Sequence, residues 1–431
     1  MKLGILTQWY DPETGPASLP GVYAREFIKQ GHQVKVLTGL PNYPEGKLYP
    51  GYEMCWRSHE VRDEVPVRRV ALYPNHSESA VGRILNYTSF GVSATLLAGR
   101  PFRDADAIWV YNSPITVALP MLAHSGFGRT PVFLHVQDLW PDSLVESGML
   151  PSGQLSRQVA RLVAAIVRFT ERRASVIGVI SPSVRELILE RNPALDASRI
   201  VYVPNPTNEQ LFHSAESLRS KLRVSRSLDV VEVMYAGAIG EVQGLNTLID
   251  AAELLCHRHD IKITVVGDGI SRGRLEQRAV RRRLTNVEFV GRVPQDEIPE
   301  LIARADIQLV SLAANPFLAY TTPSKIPSLL ASGVPIVAQL EGDGADLLRQ
   351  SGAAQVVRPG HPEDLARAIS DVADSGPGRW AEMGRSGRRY YERHLSAQTA
   401  ATRITDALTT LSAHNSRCVS GAEVPEEDDP A

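Results

Sequence analysis

The sequence predicts an α/β protein made of two doubly wound, Rossmann-like domains facing each other across a cleft. Three observations carry this reading. Short apolar runs alternate with helical patterns, the signature of parallel strands covered on both faces. The alternation begins twice, at residues 3–6 and again at 231–237. At 431 residues the chain is also long for a single core and suits two.

The elements follow in order. Residues 3–6 read as a strand, and 22–30 as a helix closed by Gly31. Residues 33–38, 107–111, 131–135, 176–180 and 199–203 are the later strands of the first half. Pro204, Asn205, Pro206, Thr207 and Asn208 form a turn-rich break, which places the first domain at 1–205. The second half repeats the pattern with strands at 231–237, 261–267, 287–291 and 307–310, giving a second domain over 206–390. Residues 391–411 read as a last helix returning to the first domain. Residues 412–431, acidic and with prolines, read as a disordered tail.

Composition narrows the function. With 43% hydrophobic and 22% charged residues the chain is globular, and a net charge of −2 offers no bulk attraction to nucleic acid. Cys55, Cys256 and Cys418 are too far apart for a zinc or disulfide pattern, which fits a reducing cytoplasm. The apolar run at 3–6 is too short for a signal peptide, and no stretch reaches the length of a membrane span.

The segment most telling about function is Thr322-Pro323-Ser324-Lys325, with the glycine stop Gly333 and an apolar strand after it. A helix start offers free N–H groups and partial positive charge, Thr322 can cap it, Pro323 suits its first position, and Lys325 adds a full charge. That combination suits a phosphate-bearing ligand. A solvated lysine on an ordinary helix start would look the same. Pro327 fits only a helix that begins late.

Other segments join this one. They are residues 12–15 (PETG), 31–34 (GHQV), 38–44 (TGLPNYP) and 135–142 (HVQDLWPD), then Gly237 with Gln243-Gly244-Leu245, then 266–269 (VGDG). In order and spacing these are similar to the family 4 retaining glycosyltransferases of the two-domain GT-B fold. The likeness is greatest to the O-antigen and colanic-acid branch that includes N-acetyl-L-fucosamine transferases. The resemblance implies a nucleotide diphosphate sugar donor, UDP-linked by preference, and no catalytic metal or other cofactor. It implies a cell-envelope glycan, a lipid-linked oligosaccharide or a small natural product as acceptor. The sugar it implies is an N-acetylhexosamine or a deoxysugar.

It also assigns candidate residues. Gly15, in the loop after the first strand, would let backbone approach the donor diphosphate, though a plain turn glycine explains it equally. His135, at a strand end, would position the transferred sugar; a structural hydrogen bonder is the alternative. Asp138 would bind an acceptor hydroxyl or cap the next helix, and Asn42 and Tyr43 would meet the acceptor. Gly237, Gly267 and Asp268 would lie near the donor, the last two being equally a tight Asp-Gly turn. Where many members carry a diphosphate-binding arginine and lysine, this chain has Ala238 and Gln243. The compensating charge then falls on Lys325, supported by Thr322 and Ser324, and on Arg292, for which an ordinary surface arginine is the equal alternative. Two family glutamates are replaced by Tyr320 and Ser328. Serine remains a neutral partner for a ribose hydroxyl, weaker than a carboxylate.

Two further readings stand beside this one. A UDP-sugar 2-epimerase shares the fold, and the lost glutamates suit a degenerate, non-catalytic partner of another transferase. The arginine-laced stretch 161–173 and the apolar stretch 84–98 would serve a peripheral contact with the inner face of a membrane, or simply pack on their own sheet.

Overall fold

The computed structural model describes residues 1–76, 80–142, 153–212, 218 and 230–420. The first sheet contains β1 (Lys2–Leu6), β2 (Gln33–Gly39), β3 (Arg57–Arg62), β4 (Val65–Val70), β5 (Ala107–Asn112), β6 (Val132–Val136), β7 (Val176–Val179) and β8 (Ile200–Tyr202). Their order is β3-β4-β2-β1-β5-β6-β7-β8. Every pairing is parallel except the β3–β4 hairpin at the edge. The hairpin has no apolar run to announce it. Its outer strand, Arg-Ser-His-Glu-Val-Arg, is an exposed, charged edge of the kind that resists further pairing.

Helices α1 (Leu19–Lys29), α2 (Ala80–Leu96), α3 (Ala118–His124), α4 (Gln154–Arg173) and α5 (Pro182–Arg191) cover this sheet. All residues of β5 and β6 are buried, as strands covered on both faces must be. A one-turn helix, α6 (Glu209–Phe212), lies in the passage to the second domain.

The second sheet contains β9 (Val231–Ala236), β10 (Ile261–Val266), β11 (Val287–Gly291), β12 (Ile307–Ser311), β13 (Ile336–Gln339) and β14 (Ala354–Val357), in the order β11-β10-β9-β12-β13-β14 and parallel throughout. Its helices are α7 (Asn246–Leu254), α8 (Arg272–Arg281), α9 (Ile298–Arg304), α10 (Lys325–Ser332), α11 (Asp343–Ser351) and α12 (Pro362–His394). The last helix, α13 (Ala397–Ser420), lays Ala400, Ala401, Ile404 and Leu408 against Tyr23 and Phe27 of α1, so the chain closes back on the first domain. It runs past residue 411, where the sequence reading ends it. Residues 421–431, most of the expected acidic tail, lie outside the described part.

Chain order reverses beside β1 in the first sheet and beside β9 in the second. Such switch points open a crevice beyond the carboxyl ends of the strands. The loops after β1, β6, β9 and β12 therefore all reach the space between the domains.

Candidate functional site

Those loops enclose a cavity of about 660 Å³. The first domain contributes Trp9, Gly15, Ser113, Gln137 and Asp138, and the interdomain passage contributes Asn205 to Asn208. The second domain contributes Gly237, Gln243, Ser311 and the run from Thr321 to Lys325, with Ser328 behind. Among the described residues on this wall, one side chain is cationic, Lys325, and one is acidic, Asp138.

Lys325 is the first residue of α10, and Ser324 precedes it as the N-cap without a side-chain cap bond. The helix therefore starts later than the expected Thr322 cap. Pro327 then falls in the first turn, where its missing N–H has no partner to lose. The Lys325 Nζ is buried, and among the described residues no hydrogen-bond partner approaches it. It lies 3.7 Å from the centre of the Tyr235 ring, whose hydroxyl is held by the Ala238 carbonyl at 2.7 Å. Burial lowers its pKa to about 7. A buried ammonium with only a ring face for company is held ready for an anion.

Gly237 makes room for that anion. Its φ of +150° favours glycine, and an added Cβ would sit 2.8 Å from the Lys325 Nζ. Gly237→Ala is expected to weaken nucleotide binding at least ~10-fold and to cost about 1–3 kcal/mol of stability; parallel titration and melting measurements check both.

Asp138 follows β6 and accepts a hydrogen bond from the Ser113 hydroxyl. Burial raises its pKa, and the Ser113 bond opposes that shift. Its side chain lies on the wall of the same cavity as the lysine, where it can orient or accept from a hydroxyl.

Several expected residues sit elsewhere. His135 is inside the core: it is fully buried, its Nε2 bonds the Val203 carbonyl at 2.9 Å, and the rings of Tyr23, Trp109, Tyr111 and Phe133 pack around it. Burial holds its pKa down at about 4, so the ring is neutral. The reason is one residue of strand length: β6 extends through Val136, so the side chains that emerge at its end are Gln137 and Asp138. His135→Ala should destabilise the fold by about 2–4 kcal/mol, as buried aromatic truncations do, while folded molecules keep their turnover. An unchanged denaturation midpoint with lost turnover would return His135 to the site.

Asn42 is also internal. Its N–H donates to Glu13 Oε1 at 2.8 Å, its Nδ2 to the Leu40 carbonyl at 3.0 Å, and its Oδ1 accepts from Asn86 at 3.1 Å. Tyr43 stands in an aromatic group with Trp9 and His76, beside the cavity. Burial and Glu13 raise the Tyr43 pKa, while Arg292 across the cleft opposes them. Arg292 itself is exposed and off the cavity wall.

Gly267 and Asp268 support the site from beneath. A Cβ on Gly267 would meet the Gly237 carbonyl at 1.9 Å, and the Asp268 carbonyl accepts from the Ile239 N–H at 2.9 Å. Gln243 lines the cavity, but its Oε1 accepts from the Gly240 N–H at 2.9 Å, closing its own turn. Tyr320 turns toward the first domain. It packs on that domain's core beside a smaller cavity of about 180 Å³, and its carbonyl accepts from the Ser181 hydroxyl at 2.7 Å. Ser328 shares a 2.7 Å hydrogen bond with Thr207 of the interdomain passage.

The structure also brings in residues that the sequence reading did not single out. Gln137, Asn205, Thr207 and Tyr235 are all on the wall. Glu13 fixes the Tyr43 loop by accepting from the N–H groups of Tyr10, Asn42 and Tyr43.

Comparison with known proteins places the chain in a family. Residues 14–206 match the Glycosyl transferase 4-like domain, and residues 231–375 match the Glycosyl transferases group 1 domain. A relative in Escherichia coli K12, named "Putative colanic acid biosynthesis glycosyl transferase WcaI", is 30% identical over 77% of this chain and 82% of its own length. The chain belongs to the family 4 glycosyltransferases. A further relative of this transferase is the 2-deoxystreptamine glucosyltransferase of Streptomyces kanamyceticus, 27% identical over 57% of this chain and 60% of its own. Among solved structures, Anabaena Alr3699/HepE in complex with UDP and glucose superposes with a TM-score of 0.64 at 18% identity, covering 95% of this chain and 99% of that one. Escherichia coli trehalose-6-phosphate protein bound with UDP-2-fluoro glucose gives 0.68 at 11% identity, covering 95% and 99%. At those identities the likeness speaks for the fold, which is GT-B. The family match leaves the 2-epimerase reading unsupported.

Proposed function

We propose that this transferase is a retaining enzyme that moves an N-acetylhexosamine or deoxysugar from a UDP-linked donor, without a metal, to a cell-envelope glycan, a lipid-linked or a natural-product acceptor. The observation that carries the donor part is Lys325, a buried ammonium without a hydrogen-bond partner among the described residues, facing a glycine on the wall of the interdomain cavity. UDP is favoured because the HepE structures hold UDP and UDP-glucose. The relatives are named for colanic acid biosynthesis and for 2-deoxystreptamine glucosylation, which supports the breadth of acceptors.

In this reading the donor diphosphate rests on Lys325 and on the approach that Gly237 leaves open. The acceptor hydroxyl attacks the anomeric carbon from the side of the departing diphosphate. A diphosphate oxygen takes the hydroxyl proton, Lys325 balances the growing negative charge, and Asp138 orients the hydroxyl. Ser328 and Thr207 offer hydroxyls to the ribose in place of a glutamate.

A contact with the inner face of a membrane fits the surface of the first domain. Val81, Ile84, Leu85 and Leu96 on α2, and Leu162, Ile166 and Phe169 on α4, are exposed, and arginines flank them. Among the described residues no helix is long and apolar enough to cross a membrane. Incubation with UDP-sugars and simple acceptors, followed by proton NMR, tests the reading. It expects UDP release and a product with the donor's anomeric configuration. An inverted product would rule out retention. UDP binding without turnover on any acceptor would favour the degenerate-partner reading.

A further inference from the structure

Two hydroxyls on the cavity wall, those of Thr207 and Ser328, meet at 2.7 Å where the interdomain passage touches α10. Thr207 is held from behind. Its N–H donates to the Tyr391 Oη at 3.2 Å, and that hydroxyl donates to Glu209 Oε1 at 2.8 Å. The same Glu209 oxygen accepts from the N–H of Ala397, the first residue of α13, at 2.8 Å. Tyr391 is buried near the end of α12, off the cavity wall.

The direction of each bond follows from the chemistry. Burial, and after it the Glu209 charge, raise the Tyr391 pKa, so the hydroxyl keeps its proton. A hydroxyl has one proton to give. Tyr391 gives it to Glu209, and its oxygen is left to accept from Thr207. Bonds in such a chain polarise one another. Glu209 also ties together the two places where the chain passes between the domains, the segment after β8 and the junction of α12 with α13.

We propose that Tyr391 and Glu209 are positioning residues for the nucleotide, holding Thr207 where its hydroxyl and that of Ser328 together read the donor ribose. Thr207 is buried, so loss of the Tyr391 Oη leaves its N–H unpaired and lets the passage shift. The two wall hydroxyls then lose their common geometry although neither has been altered. Glu209 orients the Tyr391 hydroxyl and is itself fixed by the start of α13. What it must supply is an acceptor oxygen, which glutamine also has.

The inference rests on the nucleotide-sugar reading given above, and one experiment separates the two. UDP and 2′,3′-dideoxy-UDP are titrated calorimetrically into the full chain and into Tyr391→Phe, Glu209→Leu and Glu209→Gln, with melting curves for each. The informative quantity is the preference for UDP over the analogue that lacks both ribose hydroxyls. A general loss of structure weakens both nucleotides alike and leaves the preference where it was. The wild type should prefer UDP about 10-fold, the scale of one or two hydrogen bonds. Tyr391→Phe and Glu209→Leu should each bring the preference to about twofold or below, with the dideoxy analogue bound within about twofold of wild type. Glu209→Gln should keep the wild-type preference. If Tyr391→Phe does not fold, Glu209→Leu carries the test by the same ratio. A preference retained in the folded Tyr391→Phe or Glu209→Leu chain, or lost in Glu209→Gln, overturns the inference and leaves the donor reading intact. A wild type that binds the two nucleotides equally overturns it as well. Failure of UDP to bind the folded wild type overturns the donor reading, and the inference with it.

Discussion

Lys325→Met is expected to abolish measurable nucleotide binding while raising the stability of the free protein. The two effects have one cause. The Lys325 Nζ is buried over the Tyr235 ring with no hydrogen-bond partner among the described residues, so its charged form is disfavoured until an anion arrives. Methionine is nearly isosteric and has no charge to desolvate. Replacing buried ion pairs by apolar side chains is often neutral or stabilising by about 1–4 kcal/mol, and a lone, poorly compensated charge should gain on that scale, so the melting temperature should rise. Binding should fall by at least ~100-fold, the scale on which charge-assisted contacts to a phosphate matter. A variant that loses stability and binding in equal measure would make Lys325 a structural residue.

The same lysine sets a pH dependence whose sign can be stated. Its pKa in the free fold, about 7, lies below the ordinary lysine value. Between about pH 7 and that ordinary value the folded chain binds fewer protons than the unfolded chain. Stability should therefore gain from this group as pH rises through that window. Binding an anion favours the ammonium, so the complex takes up a proton above pH 7 and affinity should decline from pH 7 to pH 9. Titrations at pH 8 in buffers of different ionisation enthalpy would register the uptake. Their observed heats should differ by the buffers' ionisation enthalpies times the protons taken up.

Asp138→Asn is expected to reduce kcat by about 10²-fold, the scale on which a misplaced reacting group slows a reaction, with UDP binding within a few-fold of wild type. Asparagine keeps the shape and can still accept from Ser113, so folding should be little disturbed. It lacks the charge and one of the acceptor sites that would orient the attacking hydroxyl. Near-normal kcat together with a raised acceptor KM would move Asp138 from the chemistry to acceptor affinity alone.

How far the sequence discloses this site depends on the kind of feature. Alternating apolar runs reveal the two sheets because buried parallel strands tolerate little else, as β5 and β6 show. The β3–β4 hairpin is hidden because an edge strand can be charged along its length. Lys325 and Gly237 stand out because each serves a local requirement, a helix start and a strand end with unusual φ. The inward-facing end of β6 is harder. One extra strand residue, Val136, moves His135 into the core and Gln137 to the surface of the cavity, and nothing in the local pattern sets that length. Gln137, Asn205 and Tyr235 acquire meaning only through contacts made in space, as do Asn42 and Glu13, whose hydrogen bonds hold a loop together. The replacement of two family glutamates by Tyr320 and Ser328 also looks different in three dimensions. Tyr320 joins the interface between domains, and Ser328 is tied to Thr207.

The central claim is that the cavity holds a nucleotide diphosphate on the Lys325 ammonium. A calorimetric titration of UDP, GDP and dTDP into the wild-type chain at pH 7, with EDTA present, tests it most directly. The account predicts saturable binding of one nucleotide, UDP first, that EDTA leaves unchanged. Absence of binding by all three to a protein shown to be folded would contradict it.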